Sequence, residues 1–140
     1  MKMQPISIAQ PATATTPIWR RALWMRLGAL SGVMSVLIWL TANMAALGPG
    51  DADMLRLGAQ IQFMHGMATL SCATFMNVGA RWARLAPAFF LGGVLLFSFP
   101  LYLVVLGMPV AITKLAPVGI AALAAGWLIL TWSAKDIDRD

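Results

Sequence analysis

The feature that most limits what this chain can become is the absence of charge over long stretches. No charged residue falls between Leu27 and Leu47, or between Leu57 and Ala80, and two further apolar runs follow at about 87–106 and 115–132. A run of about 20 such residues, wound as a helix at ~1.5 Å per residue, matches the ~30 Å hydrocarbon thickness of a bilayer. Unbroken runs point to helices, since barrel strands would alternate apolar and polar residues. The expected fold is therefore all-α, a polytopic membrane protein built as a bundle of four transmembrane helices with short loops. Composition agrees: 60% of residues are hydrophobic and 11% charged, against roughly 25% charged in an ordinary soluble domain.

The pattern divides into an N-terminal tail, 1–18, a single four-helix domain, 19–134, and a polar C-terminal tail, 135–140. The first tail is rich in Pro and Thr and has no apolar periodicity, so it is read as flexible. The spans are placed at about 27–47, 56–78, 87–106 and 115–132. Between the first two, Gly48-Pro49-Gly50-Asp51-Ala52-Asp53 is the sharpest turn signal, with Asp51 or Asp53 available to cap the second helix.

Charge gives the orientation. Lys2, Arg20, Arg21, Arg26, Arg81, Arg84, Lys135 and Arg139 fall on the side of the termini, and only Arg56 and Lys114 on the other. The positive-inside bias then places both termini in the cytoplasm. Trp19, Trp24, Trp82, Trp127 and Trp132 are expected at that same interface. A net charge of +5 does not imply nucleic acid as a partner, because the cations sit dispersed at the ends of apolar runs. The bilayer itself is the expected partner.

On a helical wheel, Gly28, Ser31, Gly32, Ser35, Trp39, Ala42, Asn43 and Ala46 share one face of the first span, while Leu30, Val33, Leu37, Leu40 and Met44 share the other. The small face should meet protein and the large one lipid. The second span gathers Gly58, Gln62, His65, Gly66, Thr69 and Ala73, with Gln60 on the opposite side. Gly119 and Gly126 mark a contact stripe on the fourth span. In the third, Pro100 removes a backbone donor and should kink the helix, with Ser98 or a neighbouring helix satisfying the freed carbonyl.

His65, the only histidine, and the glutamines lie inside a span, where every polar group needs an internal partner. The candidate cluster is Asn43, Gln60, Gln62, His65 and Thr69, with Gln62 and His65 expected to bond each other or Asn43. No Asp or Glu lies in any span, so a proton relay through His65 lacks a second member. The ten methionines are scattered without metal-binding spacing, and Cys72 lies two turns from His65. No metal, cofactor or catalytic site is expected.

The stretch Gly93-Val94-Leu95-Leu96-Phe97-Ser98-Phe99-Pro100-Leu101-Tyr102-Leu103, with Ala116-Pro117-Val118-Gly119, Gly126-Trp127 and Gln60-Ile61-Gln62-Phe63-Met64-His65, resembles small bacterial inner-membrane proteins of the YgdD type, the domain of unknown function 423. The resemblance covers about Gly28 to Trp132 and implies a bacterial inner membrane. Thr41-Ala42-Asn43 stands where that family usually has Gly-Ala-His, so a mechanism needing two histidines loses one. The long N-terminal tail and Pro100 also depart from the common pattern.

Two functions follow as expectations. One is a non-catalytic accessory or interaction subunit that associates with a larger membrane complex or with a second copy of itself. The other is a small transporter or proton conduit centred on His65 and Gln62.

Overall fold

The computed structural model describes residues 21–137, so the flexible-tail reading of 1–18, the placements of Lys2, Trp19 and Arg20, and that of Arg139 lie outside it. Four α-helices follow in order: α1 Arg21–Met44, α2 Pro49–Asn77, α3 Ala86–Val105 and α4 Ala116–Ser133. Short 3-10 segments at Arg81–Arg84, Val110–Leu115 and Ala134–Asp136 supply the links and the end. Among the described residues there is no strand.

Local chemistry sets these boundaries. Pro49, Pro87 and Pro117 each stand in the first turn of a helix, where a missing N–H costs nothing and a fixed φ helps. This moves the start of the second helix from the expected 56 to Pro49: Gly48 is the cap residue, and neither Asp51 nor Asp53 caps with its side chain. Asp53 instead pairs with Arg56 at 2.9 Å. Gly107, with φ +93°, stops α3. Its N–H reaches the Val104 carbonyl and that of Met108 the Leu103 carbonyl, both at 2.9 Å, a closure that needs the left-handed conformation glycine adopts freely.

The helices pack chiefly as sequence neighbours, α1 on α2, α2 on α3 and α3 on α4. Two crossings are made by glycine. A Cβ on Gly28 would come 3.0 Å from the Gly66 carbonyl oxygen, and one on Gly66 would come 3.2 Å from that of Gly28. Gly93 and Gly119 stand in the same reciprocal relation across α3 and α4, each 2.9 Å from the other's oxygen. With lipid tails as apolar as leucine, such close backbone approach supplies the packing that hydrophobicity alone does not. Gly32 takes no part, as nothing lies within 4 Å of its Cβ position.

The buried core lies among α2, α3 and α4, where Ala68, Cys72, Ala86 and Phe90 meet Ile129 and Leu130. Large aliphatic side chains point outward, with Leu30, Leu95 and Leu128 all more than half exposed. Three segments, Arg21–Met44, Arg81–Val105 and Val110–Asp136, are long and apolar enough to cross a membrane. α2 is longer than any other helix, yet more polar, and it buries the most residues.

Pro100 is buried within α3, which remains helical through it. Ser98 does not serve α3's own freed carbonyl: its hydroxyl donates to the Gly58 carbonyl of α2 at 2.9 Å.

Candidate functional site

α2 holds the polar groups because its stripe of Gly58, Gln62, His65, Gly66 and Thr69 is buried against other helices. Gln62 reaches in two directions. Its Nε2 donates to the Ser31 carbonyl of α1 at 3.0 Å, and its Oε1 accepts the Tyr102 hydroxyl of α3 at 2.8 Å. A backbone carbonyl can only accept, so these partners fix which end of the amide faces α1. The Tyr102 ring lies over Gly58, where a Cβ would come within 2.5 Å of it. That absence of a side chain is what lets the phenol reach Gln62.

His65 is held just as fully. Nδ1 lies 2.8 Å from the Ile61 carbonyl one turn back, and Nε2 lies 3.2 Å from the indole nitrogen of Trp127 in α4. Indole nitrogen only donates. Nε2 therefore accepts, and the single proton of the neutral ring sits on Nδ1, donated to Ile61. Phe90 completes an aromatic triad, its ring centroid 5.6 Å from His65 and 5.2 Å from Trp127. Tilted and edge-on contacts at such distances are the favoured ones.

The expected bonds of Gln62 and His65 to each other or to Asn43 are not made. Three positions along a helix leave two side chains about 60° apart around its axis, and Gln62 serves α1 and α3 while His65 serves α4. Thr69 is fully buried, its hydroxyl returned to the His65 carbonyl at 2.8 Å. Asn43 is exposed at the end of α1, where its Nδ2 donates to the Trp39 carbonyl and its Oδ1 accepts from Arg56 Nε at 3.3 Å. Arg56 also reaches the Ala42 carbonyl at 3.4 Å, one of the acceptors a helix end leaves open. Gln60 is exposed beside Trp39 and Phe63.

Tyr102, Ser31, Gly93 and Trp127 are the residues that sequence reasoning did not place in the site. Trp127, expected at the interface, is about half exposed, and its indole N–H donates to His65. The available signal was that Gly93, Tyr102 and Trp127 stand within the quoted motifs and that Tyr102 is the sole tyrosine.

Chemically, both ends of the Gln62 amide and both His65 ring nitrogens have protein partners. The Cys72 thiol, fully buried, donates to the Ala68 carbonyl at 3.1 Å and faces no base. Among the described residues no three His, Cys, Asp or Glu side chains come together. Alongside Gln62 and Tyr102, an apolar groove of about 560 Å³ opens between α1 and α3. At the end of the molecule where α1 and α3 begin, Arg21, Arg81 and Arg84 line a second cavity of about 600 Å³. Arg21 donates there to Asn77 Oδ1 at the end of α2.

No curated protein and no solved structure matches the chain. A family model, that of a protein of unknown function (DUF423), matches residues 40–119. The match takes in all of α2 and α3, and so Gly58, Gln62, His65, Ser98 and Tyr102, while Ser31 and Trp127 lie outside it. With more than half of its residues covered by that model, the chain belongs to the DUF423 family.

Proposed function

We propose that the chain crosses the bilayer four times, α2 included, and serves there as a non-catalytic accessory or interaction subunit, associating with a larger membrane complex or with its own copy. Connectivity supports the fourth crossing. α1 and α3 begin at the same end, where Arg21 shares a cavity with Arg81 and Arg84; if both cross, α2 has to return between them. Its 29 residues give about 43 Å of helix, more than the ~30 Å required. Of the polar side chains that lower its hydropathy, Gln62, His65 and Thr69 are buried against other helices, while Gln60, Ser71 and Thr74 are exposed.

Arg21, Arg26, Arg81, Arg84 and Lys135 gather at one end, against Arg56 and Lys114 at the other. This bias supports a cytoplasmic side for both termini, and the family resemblance supports a bacterial inner membrane.

The observation that carries the non-catalytic reading is the engagement of both ends of the Gln62 amide and both His65 ring nitrogens by protein partners. Groups so engaged hold helices in register; a conduit would need at least one free to exchange protons or solute. Reconstitution into liposomes loaded with a pH-sensitive dye tests this. No protein-dependent flux is expected; a flux abolished by His65→Phe would instate the conduit. For the interaction role, native electrophoresis from mild detergent should show an assembly larger than the 15.0 kDa chain, and migration always alone would count against it.

A further inference from the structure

We propose that the arginine cavity and the groove between α1 and α3 together form a binding site for one anionic phospholipid, its phosphate held by Arg21, Arg81 and Arg84 and an acyl chain laid along the groove. The inference rests on the membrane placement above and goes beyond it in naming a ligand.

The cavity joins the start of α1 to the turn between α2 and α3, and among the described residues no carboxylate lines it. Among the described residues, Arg81 and Arg84 make no ion pair, and Arg21 is engaged by the neutral Asn77 amide. Asp136, the acidic residue described at this end, meets Gly79 through its backbone carbonyl, 3.6 Å from that residue's Cβ position. Three permanently charged guanidinium groups therefore converge on a space open to an anion. Trp82 lines the same cavity, an indole suited to the headgroup level.

The groove begins one turn further along both helices. Trp24 follows Arg21 by three residues, and Ala88 follows Arg84 by four, and these two stand at its mouth. It runs past Leu91 and Leu95 to Ile38 and Tyr102. From Trp24 to Ile38 is about 21 Å of helix, more than the ~15 Å depth of one leaflet's hydrocarbon. A free phosphate would fill the cavity and leave the groove unexplained; a neutral lipid would fill the groove and leave three arginines unmatched. A molecule with both an anionic head and a long apolar chain fits both.

The test uses the full chain in nanodiscs of equal phosphatidylglycerol and phosphatidylethanolamine, extracted in mild detergent and weighed intact by native mass spectrometry. One phosphatidylglycerol should remain bound. The double variant Arg81→Gln/Arg84→Gln should lose it by roughly 30-fold, from about tenfold or less per arginine at a membrane surface, with helical content unchanged by circular dichroism. Arg26→Gln, at the same end but not lining the cavity, should retain it. Leu91→Trp, which fills the groove, should lose the lipid as well. Equal retention of both lipids, equal loss in the Arg26 variant, or inorganic phosphate displacing the lipid from the wild-type chain would each overturn the site. Failure to enter nanodiscs would instead count against the membrane placement itself.

Discussion

The indole N–H of Trp127 in α4 donates to Nε2 of His65 in α2, 3.2 Å away, and so decides which imidazole nitrogen carries the proton. A second proton on Nε2 would face a group that can only donate. The pair thus ties α2 to α4. In ¹⁵N spectra of the labelled imidazole, Nδ1 should be protonated and Nε2 bare, and the reverse tautomer would remove the bond. Trp127→Phe should lower stability by on the order of 1 kcal/mol, typical of interhelical hydrogen bonds in membranes, as read by denaturant titration in micelles.

Gln62 joins α1 to α3, and its coupling to Tyr102 is measurable. A double-mutant cycle with Gln62→Leu and Tyr102→Phe should give an interaction energy of about 0.6 kcal/mol, with ~1.7 as a ceiling. Strict additivity would mean that the 2.8 Å contact carries no energy of its own.

Two glycines that look alike in the sequence should respond in opposite ways to the same change. At Gly119 a Cβ would lie 2.7 Å from the Phe97 backbone nitrogen and 2.9 Å from the Gly93 oxygen. Backbone cannot swing aside as a side chain can, so Gly119→Ala should part α3 from α4 and cost about 1–3 kcal/mol. At Gly32 nothing is within 4 Å, and Gly32→Ala should gain about 0.5–1 kcal/mol through helix propensity. Thermal unfolding of the two variants in one detergent decides the matter.

Topology can be read by cysteine labelling. In the parent chain Cys72, fully buried, should resist a maleimide until the protein is denatured. In a Cys72→Ala background, Asp51→Cys and Trp82→Cys sit near opposite ends of α2. An impermeant maleimide applied to intact cells should label the first directly and the second only after permeabilisation. Labelling of both from one side would remove the α2 crossing.

The sequence by itself determined the helical class, the number of long helices and which large aliphatic side chains of α1 point outward, because uncharged runs and wheel periodicity are local properties. Leu30, Val33, Leu37, Leu40 and Met44, assigned to the outer face, are exposed, but so are Trp39, Asn43 and Ala46 of the face expected to meet protein, where only Gly28, Ser35 and Ala42 are buried. It also singled out the polar stripe of α2, since His65 and Gln62 stand out wherever charge is absent. Only the tertiary structure decided what these residues touch. Gln62 and His65 lie three positions apart and yet serve different helices, and the Trp127 indole donates to an imidazole 62 residues away. Asn43 went instead to Arg56 at the far end of α1. Partner choice depends on how closely backbones approach. That was set by Gly28 on Gly66, Gly93 on Gly119 and Gly58 beneath Tyr102, contacts between distant positions that no helical wheel can display.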